Sequence, residues 1–278
     1  MQNDVHHACI IIDDPLLREK YGFLNYYRLL NLMDNHNFFT TIAFVPFNFN
    51  RTDKKIAALF KERADRFSLC VHGCDHVKGE FGITDLHYLD NLVKLATARM
   101  VEHERITGIP FDRIMVFPQG IFSNEALEAL KLNNYSAAIN TVPIPIGGSI
   151  SSDLPLFRRY TPEHFNDGAS TNPIFIVLHH DYFKNGYTRL SSFVDKLNES
   201  YKIQWASAGS IISNYIHSTP QSNVIRTDVD LSGLALHGYR GNTKILMRRY
   251  LSEFRDNYLC KNDSLFAWAK KFKDLMKW

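Results

Sequence analysis

The sequence predicts an α/β protein, a distorted (β/α) barrel of about seven strands with a helical C-terminal extension. Three observations lead there. Short apolar, β-branched runs alternate with helical patterns, which is the signature of parallel βα units. Polar or turn residues begin where four of those runs stop. The last part of the chain repeats an apolar stripe at helical spacing.

Taken in order, the strand candidates are ACIII (8–12), TTIAFV (40–45), FSLCV (67–71), IMVF (114–117), SAAI (136–139), IFIVL (174–178) and IQWA (203–206). Helical segments lie between them, among them 23–35, 53–65, 84–108 and 123–132. The third ends at Gly108 with Pro110 behind it, a normal helix stop. Residues 141–172, rich in Gly, Ser, Pro and Asp, read as a long irregular connection beside a site. In the tail, Met247, Leu251, Phe254 and Tyr258, then Leu265, Trp268, Phe272 and Leu275, fit one or two amphipathic helices. The expected division is a barrel over 1–220 and a helical extension over 221–278.

No apolar segment approaches the ~18 residues of a membrane helix. The four cysteines, Cys9, Cys70, Cys74 and Cys260, are few, and two sit inside apolar runs, so reduced thiols in a cytoplasmic chain are expected. The net charge of +3 is uneven. From Gly241 onward nine Lys and Arg face four Asp and Glu, a surplus of five that leaves the remaining body at −2. A slightly acidic body with no basic groove argues against nucleic acid as a partner. The tail has two readings: its stripe covers the outside of the barrel with the basic face solvated, which is favoured, or it makes a peripheral membrane contact with an anionic surface.

The polar constellations gain weight from their positions. Asp13 and Asp14 follow the first run and His72 follows the third. Pro118, Gln119 and Gly120 follow the fourth, and His179, His180 and Asp181 follow the sixth. In a parallel barrel every C-terminal strand end opens on one face, where catalytic residues gather from strands distant in sequence. One carboxylate and two neutral imidazoles suit a divalent ion with open positions, zinc being the default. His72 and His76, four apart in one helical turn, would project to the same side. Gly73 would let the chain turn tightly between them. Of the two adjacent aspartates, one serves best as ligand and the other as general base.

The ordered set IIIDDP, VHGCDH, VFPQG and IVLHHD resembles the NodB-type polysaccharide deacetylases, carbohydrate esterase family four, over roughly residues 8–215. The resemblance implies Asp13 as base and Asp14, His72 and His76 as metal ligands. It also implies a backbone oxyanion donor near Gln119 and, from a Leu-x-His register beginning at Leu178, His180 as general acid rather than His179. Strand alternation places Leu178 and His180 on one side. The family's base-orienting arginine, due near Val116, is absent; its Asp-containing fourth motif has no clear counterpart after SAAIN, with Asn140, Asp153 or Arg158 as substitutes from the long connection. Asp75 reads as a supporting or solvated residue.

The function so implied is metal-dependent removal of an N-acetyl group from an amino sugar of a glycan. The alternatives are a non-sugar amide substrate, or a catalytically weakened barrel acting as a binding or assembly subunit.

Overall fold

Every one of the seven apolar runs is a strand in the computed structural model, which describes residues 5–165 and 172–218 continuously and scattered positions between 229 and 271. The chain runs β1 (His6–Asp13), a small hairpin of β2 (Lys20–Tyr21) and β3 (Leu24–Asn25), α1 (Tyr26–His36), β4 (Thr40–Phe44), α2 (Lys54–Glu62) and β5 (Phe67–His72). It continues through α3 (Leu86–Thr107), β6 (Asp112–Val116), α4 (Asn124–Leu132), β7 (Ala137–Asn140), β8 (Leu156–Arg158), β9 (Ile174–Leu178), α5 (Thr188–Ser200), β10 (Ile203–Trp205) and α6 (Ala208–Ser218).

The local chemistry of the helix ends is visible. Asp85 accepts a hydrogen bond from the Tyr88 amide at the start of α3, and Gly108, with φ +72°, ends that helix in the left-handed conformation. The Ser123 hydroxyl accepts from the Ala126 amide at the start of α4.

The large sheet is parallel, in the order β10-β1-β4-β5-β6-β7-β8, with β9 also pairing β1. A parallel bridge between Tyr160 and Ile176 links the stretch after β8 to β9, so the sheet curls back on itself as a distorted NodB-like barrel. β8 lies inside the segment expected to be irregular. It was not legible because only three residues pair regularly with β7 and none is fully buried.

Alternation divides the core in two. Cys9, Ile11, Ala43, Cys70, Ile114 and Phe175 share the inner face with Ala208, Ile211 and Ile212 of α6. Ile10, Ile12, Ile42, Leu69, Met115 and Leu178 face the outer layer with residues of α1–α5. Each of the fully buried isoleucines contributes on the order of 1.5–3 kcal/mol. Cys9, Cys70 and Cys74 are free and buried. Cys260 lies outside the described residues.

The tail is helical at Met247, Tyr250 and Leu251, and residues Arg255–Leu259 form a π-helical turn. The expectation that the apolar stripe covers the barrel is corrected here. Met247, Leu251, Phe254, Tyr258, Leu265 and Trp268 are all exposed. Contact is polar instead: Glu253 takes ion pairs from Arg18, at 2.9 Å, and from Arg51, and Asn257 accepts from the Gly22 amide at 3.1 Å. A partly buried carboxylate between two arginines holds the segment by its other side. Phe272 and Leu275 lie outside the described residues. Among the described residues no helix is long and apolar enough to cross a membrane.

Candidate active site at the mouth of the barrel

Inner-face parity carries four polar side chains to the C-terminal mouth. Asp13 is in phase with Cys9 and Ile11, His72 with Cys70, Arg159 with Phe157, and His179 with Phe175. A partly open cavity of about 330 Å³ receives Asp13, Asp14, His72, His76, Arg159 and His179.

Alternation alone would turn Asp14 outward. Its φ of +77° rotates it back toward the mouth, a conformation aspartate tolerates better than most residues. The Asp14 Oδ1 atom then lies 3.1 Å from His72 Nε2 and 3.0 Å from His76 Nε2. His72 Nδ1 stands 2.9 Å from the Val116 carbonyl oxygen. A carbonyl only accepts, so Nδ1 carries the hydrogen, and a neutral ring presents its Nε2 lone pair to the carboxylate. The His72 lone pair facing a buried, otherwise unpartnered Asp14 Oδ1 fits a cation between them. The three residues offer ligand atoms within 4.8 Å of one another.

The two histidines do not share a helical turn, contrary to the spacing argument. His72 ends β5, Gly73 takes φ +66°, and His76 takes φ +57°. Glu80, which the sequence did not single out, shapes this loop. Its carboxylate accepts from the amides of Cys74, Asp75, His76 and Val77 at 2.9–3.2 Å. Burial raises its pKa above the usual carboxylate value although those amides pull it down. A Cβ at Gly73 would strike the Glu80 carboxylate and the Pro118 ring, so glycine is required by space as well as by φ. Beneath the loop, Asp75 is fully buried against Arg99 at 2.8 Å, a supporting ion pair rather than a ligand.

Asp13 is almost fully buried and bonded to Arg159 Nη1 at 2.7 Å. Burial by itself would raise its pKa. Arg159, together with His72 and His179, outweighs this and holds the carboxyl below its usual value. The sequence did not single out Arg159. Its neighbour Arg158, read from sequence as a stand-in for the family's fourth motif, is exposed and lies over the Tyr160 ring. Asp153 is exposed and paired with Lys131, and Asn140 bonds the carbonyls of Gly120 and Val142. The signal was the alternation of β8, which could not be applied before β8 itself was recognised.

A second correction follows from the same parity. His180 is on the side of Leu178, as expected, but that side is the outer one. His180 packs edge-on to Tyr21, at 5.3 Å between ring centroids, and stacks near Phe23, above the hairpin. A Cβ on Gly22 would run into its ring. His179 instead lines the cavity, with Nε2 3.8 Å from Asp13 Oδ2.

Gln119 sits in the short turn Pro118–Gly120 with φ +53°. Its side chain reaches within 3.4 Å of both the Gly79 amide and His76 Nδ1, so it braces the ligand loop as well as lining the cavity.

In fold the chain resembles NodB-type polysaccharide deacetylases and family 4 carbohydrate esterases. No family model and no curated protein matches the sequence. Among solved structures, a protein of Mycobacterium smegmatis assigned as a polysaccharide deacetylase matches with TM-score 0.54 and 12% identity over 82% of this chain and 97% of its own. A T48 deacetylase solved with substrate matches with TM-score 0.50 and 13% identity over 76% of this chain and 92% of its own. A family 4 pseudoenzyme from Bacillus anthracis matches with TM-score 0.47 and 10% identity over 76% of this chain and 66% of its own.

Proposed function

We propose that the protein is a metal-dependent hydrolase that removes an N-acetyl group from an amino sugar of a glycan. The observation that carries this reading is the meeting, in one cavity, of the Asp14, His72 and His76 ligand set with the Asp13–Arg159 pair. A divalent ion held by the three ligands, zinc by donor type, would supply Lewis acidity toward the acyl carbonyl and toward water.

The chain's own residues do the rest. Asp13, kept ionised by Arg159, takes the proton of the attacking water. The backbone N–H at Gln119 is the candidate donor for charge developing on the acyl oxygen. His179 replaces His180 as the group that hands a proton to the departing amine, a poor leaving group unless protonated, because His179 faces the cavity. Arg159, bonded to Asp13, supports the catalytic reading over that of a weakened barrel, which the absence of the family's arginine allows.

The test is acetate release from N-acetylated chitooligosaccharides by protein of measured metal content, set beside non-sugar acetamides. Turnover on the glycans that depends on metal supports the reading. Turnover only on the simple amides would move the substrate class, and none on either would remove the enzyme.

A further inference from the structure

Two exposed apolar clusters stand on the mouth side of the barrel, and the proposed chemistry uses neither. The first is on the connection after β7, where Val142, Ile144, Ile146 and Ile150 are each more than half exposed. This connection is held in place with its aliphatic side chains turned out. The Ile146 amide bonds the Phe122 carbonyl at 2.8 Å, and Asn124 bonds Ser149 and Ser151 at 2.8 and 3.0 Å. Val142 also lines the catalytic cavity, so the cluster borders the opening.

The second cluster is the tail stripe, with Phe254 51% and Tyr258 70% exposed. Its anchors all belong to the same end of the barrel: Arg18 and Gly22 follow β1, and Arg51 follows β4. Because Glu253 and Asn257 hold the polar side inward, the apolar side is turned away from the protein.

We propose that this mouth face docks on an anionic lipid surface and brings the cavity to an N-acyl amino sugar carried on lipid; the second half rests on the function proposed above. Charge complementarity selects this occupant. The segment from Gly241 carries a surplus of five positive charges, so two copies meeting through this stripe would repel, whereas an anionic headgroup layer attracts it. The composition agrees: branched aliphatics, Phe, Tyr and Trp on one side with Lys and Arg in the same segment is the make-up of an interfacial helix.

The experiment is flotation of the full chain with vesicles of phosphatidylcholine alone and of phosphatidylcholine mixed equally with phosphatidylglycerol. The expected result is binding to the anionic vesicles, weakened by salt, with at least about tenfold less to the zwitterionic ones. Ile144→Asp with Ile146→Asp, and separately Phe254→Asp, should each lower anionic binding by about tenfold or more at unchanged melting temperature. Hydrolysis of a soluble N-acetylated oligosaccharide should be unaffected by either variant, since none of these residues lines the cavity. Absence of binding by the intact chain, or binding indifferent to both variants, overturns the proposal. So does a concentration-dependent dimer that Phe254→Asp splits while vesicles go unbound. Vesicle binding with no turnover on any acetylated sugar would leave the docking surface standing and remove the proposed activity.

Discussion

Two carboxylates, Asp13 buried and Asp112 half-buried, occupy opposite ends of the barrel and are treated in opposite ways. Asp13, at the C-terminal end of β1, receives a buried guanidinium and two nearby imidazoles, and its pKa falls below the usual value. Asp112, at the N-terminal start of β6, lies under the first turn of α6 beside a cavity of about 470 Å³ lined by Phe39, Phe60 and Trp205. Burial pushes its pKa up to about 6, with only the Gly209 amide pulling it down. The same residue type is therefore kept charged at the cavity mouth and is ready to be neutral at the opposite end of the barrel. An ionised carboxylate buried at the mouth requires a dedicated cation, and Arg159 is that cation.

The largest expected effect breaks the mouth at its ligands. His76→Ala should remove bound metal and with it nearly all turnover, while Asp13→Asn should keep the metal and lose turnover by about 10²–10⁴-fold. Metal analysis beside acetate release checks both, and full metal occupancy in His76→Ala would refute the ligand set.

Next comes Arg159→Ala, which leaves Asp13 buried without its partner. A loss of roughly 3–5 kcal/mol in urea unfolding is expected, with Asp13 neutralised at higher pH than in the parent protein. Arg159→Lys should recover part of both, and Arg158→Ala should change neither. Equal effects at 158 and 159 would mean that the inner-face register of β8 is misassigned.

A smaller effect separates the adjacent histidines. His179→Ala should lose about 10²-fold or more on an acetamide and less on an activated acetyl ester, which needs little protonation of its leaving group. His180→Ala should be mild on both. The reverse pattern would restore His180 as the acid.

The smallest effect concerns the base of the barrel. Because the folded pKa of Asp112 is raised from 3.8 to about 6, its contribution to stability is complete below 3.8 and is lost as pH rises through about 6. Asp112→Asn should therefore gain melting temperature on the parent protein above about pH 6 and lose that advantage near pH 4. Asp13 works in the other direction: its depressed pKa gives stability that is present above 3.8 and lost as pH falls through the folded value. Parallel melting profiles for parent and Asp112→Asn across this range would contradict the asymmetry between the two ends.

Much of the site was legible because strand ends are marked locally. Apolar runs stop abruptly at Asp13 and His72, and the pattern of Asp and His at those stops depends on residues close in sequence. The loop between His72 and His76 was misread as a helical turn because its shape comes from Glu80 gathering four amides, a choice that residue spacing does not encode. His180 was preferred to His179 on the Leu-x-His register; alternation agreed, but it tells which residues share a face without telling which face is inside.

By itself the sequence determined the alternation of strands and helices, the seven runs that build the parallel sheet, and the set Asp13, Asp14, His72 and His76 at its C-terminal edge. Hydrophobic periodicity and abrupt polar stops are local properties, and burial in a parallel sheet demands them. Only the tertiary structure decided that Arg159 charges Asp13, that His179 faces the cavity, and that the tail turns its polar side to the barrel. Each of these depends on which strands become neighbours when the sheet curls: Arg159 meets Asp13 across 146 positions of chain. Pairing at that range is set by the closure of the whole barrel, to which no short stretch of sequence has access.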